Sequence, residues 1–184
     1  MTPPRYFLRV ASTRARITEV QDRTYKRDKD GKFGSGEGGG VKTEGTAIRP
    51  EFEGLDTAEQ VATAAATSAK RITGRDVAFD FADSDPTIAA EHASGVLYGL
   101  EKFPGTGLDS VRVGDFDDAG AGAYAKTTKD GREIIFSRSA QSDPAAYRAD
   151  VERDQGAHHL VAASGPIGIA LHEFGHSVAN SYGI

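Results

Sequence analysis

An apolar, small-residue-rich stretch near the end of the chain carries His172-Glu173-Phe174-Gly175-His176, and it constrains the fold more than any other segment. The run that begins around Ser164 to Pro166 and continues to about Ser181, closed by Tyr182-Gly183, reads as a helix. Residues four apart on a helix leave the same face, so both imidazoles can grip one metal ion. Glu173 sits beside that line, where a carboxylate can take a proton from water on the ion without occupying the ion itself. Ile169, Phe174 and Val178 can seat the helix against a sheet and fix the ligand geometry. A carboxylate among Leu171, Phe174 and two histidines is expensive to bury without a partner.

Composition narrows the chemistry. The 184 residues suffice for one domain with a core, or a small domain plus a long arm. Cysteine is absent, which excludes disulfides and thiolate sites, so a metal must be held by His, Asp or Glu. The net charge of -5 is unevenly spread. Residues 1–32 hold nine Lys or Arg against four Asp or Glu, a net of +5, and the rest of the chain carries -10. A basic arm on an acidic body points to an anionic partner for the arm, such as a virion component, and makes the body a poor nucleic-acid binder. The first residues lack an uninterrupted apolar stretch, so no secretory signal is expected, and nothing is long enough to span a membrane. A cytoplasmic or virion-associated location is expected.

Glycine and charge alternate densely from Tyr25 to Gly40, which predicts a flexible linker. Residues 1–50 are therefore expected to form a basic arm and Gly-rich linker, and residues 51–184 the domain proper. Asp56 or Thr57 caps a predicted helix that Gly74 closes. Val77 to Phe81 reads as a strand, and Asp85-Pro86 opens a second helix stopped at Pro104-Gly105. Three strands follow, over 110–113, 122–127 and 132–137, the last two joined by a Lys129-Asp130-Gly131 hairpin turn. A short helix is expected near Pro144 to Arg153. The order predicts an α+β fold, a small mixed or antiparallel sheet packed against helices with the His-Glu-x-x-His helix at the C-terminus.

The pentapeptide, in this setting, resembles the signature of the zincin metallopeptidases. The resemblance covers about residues 55–184 and implies that His172 and His176 bind Zn2+ while Glu173 acts as general base. It implies a zinc-dependent endopeptidase hydrolysing peptide or protein substrates by metal-activated water. It also implies an antiparallel edge strand holding the substrate, for which Arg132 to Ser137 is the expected segment. Ala179 and Tyr182 stand where the metzincin branch has Gly and a third His. The third zinc ligand is expected beyond Ile184, eight residues past His176, and the sequence reads as truncated after the zinc helix, with low activity as it stands.

Other candidates carry less. His158 and His159 lie in a polar stretch that no spacing rule ties to the ion. His92 is expected to be hydrogen-bonded and partly buried. Lys26 to Glu37 half resembles a calcium loop, but Lys26 occupies the first ligand position and repels the ion. Asp115, Asp117 and Asp118 read as a solvated acidic loop. Arg27-Asp28-Lys29-Asp30-Gly31-Lys32-Phe33 looks like a charged segment that recurs in tailed-phage head proteins, which implies a phage-encoded or virion-associated zincin; a simple interdomain linker fits the same residues. The alternative function is a phage structural or adaptor protein carrying a non-catalytic zincin-like domain.

Overall fold

The computed structural model describes residues 47–115, 123–156 and 165–183. The expected arm and linker up to residue 46, with their calcium-loop-like and phage-like segments, lie outside the described residues, as do Asp117, Asp118, Gly122, His158 and His159. A 3-10 turn at Pro50–Phe52 leads into helix α1 (Ala58–Thr73), strand β1 (Ala78–Asp80), helix α2 (Pro86–Lys102) and strand β2 (Ser110–Gly114). Strands β3 (Ala125–Thr127) and β4 (Glu133–Ser137), then helices α3 (Pro144–Gly156) and α4 (Pro166–Tyr182), complete the order.

Local signals set the helix limits. Thr57 and Gln60 form a reciprocal capping box at the start of α1, and Gly74 closes it at φ 74°. Asp85 accepts from the backbone N–H groups of Thr87 and Ile88, with Pro86 in the first turn of α2. Gly183, at φ 68°, caps the end of α4.

The result is a small α+β domain with one mixed four-stranded sheet in the order β1-β2-β4-β3. β1 pairs parallel with β2 and β2 parallel with β4, while β3 pairs antiparallel with β4. The hairpin turn forms at the expected place: the Gly131 N–H donates to Thr128 O, and Gly131 takes a φ of 73°. The expected edge strand is nevertheless corrected. The 132–137 segment lies inside the sheet, between β2 and β3, and the two edge strands are β1 and β3. Ile134, Ile135 and Phe136 are all buried, as an apolar run covered on both faces requires. The three residues Ala125, Lys126 and Thr127, short and with a lysine at the centre, suit an edge.

Helix α2 is buried almost all round, from Ile88 through Leu100, which is why its sequence shows only an imperfect apolar stripe. It packs along α4 through small residues. A Cβ added at Gly95 would lie 2.7 Å from the Ala170 Cβ, and one at Gly99 would overlap the Phe174 ring. Phe174, 3% exposed, therefore sits in a notch that only glycine leaves open. Gly99→Ala is expected to lower stability by about 1–3 kcal/mol through overpacking, measured by urea unfolding at neutral pH.

His92 is fully buried rather than partly so. Its ring stacks on Phe136 at 3.7 Å, its Nε2 lies 3.0 Å from the Tyr147 hydroxyl, and its Nδ1 has no partner. Burial, aided by the Arg148 guanidinium, pushes its pKa from 6.5 down to about 3. The folded pKa lies below the unfolded one, so the unfolded chain binds the extra proton. Stability is therefore complete above pH 6.5 and falls as the pH drops through 6.5 toward 3. Between pH 8 and pH 5 the His92 contribution falls by about 2 kcal/mol. Urea midpoints across that range check the loss, and ring NMR should show His92 still neutral at pH 5.

Candidate metal centre

Helix α4 begins at Pro166, behind Gly165 at φ 72°, and runs unbroken past both histidines. His172 and His176 emerge one turn apart, with ring centroids 4.9 Å apart and Nε2 atoms 3.3 Å apart. That separation can be tested against an ion. Two nitrogens each about 2.0–2.1 Å from a tetrahedral zinc lie about 3.3 Å apart, so the spacing of the donor pair matches that of two ligands on one ion. One ligand atom from each of His172, Glu173 and His176 falls within 4.8 Å of the others. Among the described residues this is the one group of His, Asp or Glu side chains that could hold a metal ion.

Glu173 differs from its neighbours. It is 8% exposed while the imidazoles open toward solvent, so its carboxylate needs a local partner. Thr127 supplies it: the hydroxyl lies 2.7 Å from Oε2 and 2.9 Å from the backbone O of the same glutamate. The donor comes from β3, the strand lying alongside α4. Oε1 makes no hydrogen bond among the described residues. Farther along α4, the Asn180 amide donates to His176 O at 2.9 Å.

An open cleft of about 380 Å³ separates β3 and the hairpin turn from α4, with Thr127 and Thr128 on one wall and Glu173, His176 and Asn180 on the other. Gly131 faces Asn180 closely, and a Cβ there would come within 2.6 Å of the Asn180 Cβ. The cleft thus opens beside Glu173 and His176, which line it.

The three residues singled out from sequence are brought together here. His92 belongs to the core and contributes nothing to the cluster. Asp115 pairs with Arg138 at 3.5 Å, as a solvated loop carboxylate does. Thr127 is the residue that sequence reasoning missed. The signal for it was indirect: a buried glutamate demands a hydrogen-bond donor, but nothing in the chain order says which strand provides one.

Comparison with protein-family models, with curated proteins and with solved structures gives no match for this chain. The resemblance to zincins thus rests on the pentapeptide, and the geometry around it shows a cluster able to coordinate a metal. Zinc titration is expected to give one ion per chain, and His172→Ala or His176→Ala to weaken binding at least about tenfold, measured by competition with a chromophoric chelator.

Proposed function

We propose that the chain is a zinc-dependent endopeptidase domain of zincin type, with His172 and His176 as metal ligands and Glu173 as general base. The observation that carries this reading is the 3.3 Å Nε2 pair lying beside a buried, strand-tethered carboxylate. Zinc, when bound, supplies Lewis-acid polarisation of water and of a peptide carbonyl. A further His, Asp or Glu from outside the described residues completes its ligand set.

The chain's own groups do the rest. Glu173, held through Oε2, keeps Oε1 available to take a proton from the attacking water and return it to the departing amide nitrogen. β3, the edge strand of the described sheet that lines the cleft, is where an extended peptide adds as a further strand. The +5 arm over residues 1–32 supports docking on an anionic partner, in keeping with a virion-associated enzyme.

One observation favours the rival reading, a structural or adaptor protein with a non-catalytic zincin-like domain. No other His, Asp or Glu joins the two histidines and Glu173 among the described residues. Glu173→Gln separates the two. For the enzyme, cleavage of a quenched fluorescent peptide library falls by about 10²–10⁴-fold while zinc stoichiometry stays at the wild-type value. Equal peptide turnover by both proteins, or none by either, refutes the peptidase assignment.

A further inference from the structure

We infer that Thr127 is a positioning residue that holds the Glu173 carboxylate off the metal position, so that the glutamate acts on water instead of becoming a ligand. This rests on the zinc reading of His172 and His176. Three observations converge on it. Thr127 is the only partner of Glu173 Oε2 among the described residues, and the contact is short, at 2.7 Å. The same hydroxyl lies 2.9 Å from the Glu173 backbone O, so one proton is shared between the side chain and main chain of a single residue. That arrangement fixes the side-chain rotamer more tightly than a contact to the carboxylate alone. Finally, Thr127 is itself fixed, in register with Ile134 on the buried strand β4.

The tether has a specific consequence. Glu173 is adjacent in sequence to one ligand, and its carboxylate lies within 4.8 Å of imidazole nitrogens on both. A buried carboxylate deprived of its hydroxyl partner seeks the strongest remaining positive charge, and an ion between the histidines is that charge. Direct ligation would consume both the base and a coordination position that a hydrolytic site must keep open. Thr127 pulls the carboxylate toward the strand side and so keeps the two roles apart.

The probe is Co2+, whose d–d absorption reports coordination number without any need for turnover. Full-length wild type, Thr127→Val and Thr127→Ser are loaded with Co2+ and their visible spectra recorded, with thermal unfolding run alongside. Valine keeps the shape of threonine and removes the hydroxyl; serine keeps the hydroxyl. The expected result is a wild-type spectrum for Thr127→Ser and a shifted band with lowered absorptivity for Thr127→Val, as the freed carboxylate joins the ion. Peptide turnover in Thr127→Val should fall about 10–100-fold in kcat with KM unchanged, and return in Thr127→Ser. Identical spectra and kcat for wild type and Thr127→Val overturn the role of Thr127 and leave the metal site standing. Absence of Co2+ binding by the wild type, or binding that survives loss of both histidines, overturns the zinc reading and this inference with it.

Discussion

The contact on which the site depends is the packing of α4 against α2, where the Phe174 ring fills the space over Gly99 and Ala170 lies against Gly95. A helix advances about 100° per residue, so fixing one side chain fixes the direction of all the others. With Phe174 turned into the domain, the residues two before and two after it are thrown to the far side. Those residues are His172 and His176. Glu173, one step back, is carried to the flank, where it stays buried and meets the sheet. The same notch that stabilises the helix therefore decides which groups see solvent and which do not. Leucine or valine at position 99 would rotate or displace α4 and disperse the cluster, even though neither residue touches it.

The second determinant is the order of strands. β4 is drawn into the sheet because its parallel pairing with β2 and its hairpin with β3 cover both of its edges. This leaves β3 at an edge and next to α4. Thr127 and Ala125 then share the face that carries Ile134 and Phe136, toward the helices, while Lys126 alternates to the other face with Ile135. A one-residue slip of the hairpin would exchange the hydroxyl for a lysine side chain opposite Glu173. The tight turn at Thr128 to Gly131, with Gly131 in the left-handed region, fixes that register.

Much of this was legible in the residues themselves, for reasons that differ by element. Thr57, Gly74, Asp85, Pro86 and Gly183 act on backbone groups within a few positions, so their effect can be read without knowing the fold. The imidazole pair is equally local, since helical spacing alone brings His172 and His176 together. Strand order is not local. The apolar run Ile134 to Phe136 announces a strand buried on both faces, whereas the zincin resemblance implies an edge; its inner place depends on a parallel partner 23 residues earlier, in β2, with β3 intervening. Thr127 escaped for the same reason: its partner lies 46 residues away, and the link exists only once β3 has reached the edge.

His92 and Glu173 are two of the buried ionisable side chains among the described residues, and the contrast between them bears on the functional reading. His92 is placed against Phe136 and Tyr147 deep in the core, with one ring nitrogen left unpartnered, and the protein tolerates it by keeping it neutral. Glu173 is instead buried at the rim of a cleft, supported by a hydroxyl from a different element and flanked by two accessible imidazoles. A glutamate kept only for packing would be replaced at little loss by glutamine or methionine, which need no charged form and fit the same space. What those residues lack is a carboxylate oxygen with no hydrogen bond among the described residues, next to a pair of nitrogens at metal-ligand spacing. Glu173 is thus buried where the His172–His176 pair and an open cleft adjoin it. That combination fits a place in a metal-binding cluster better than a packing role for Glu173.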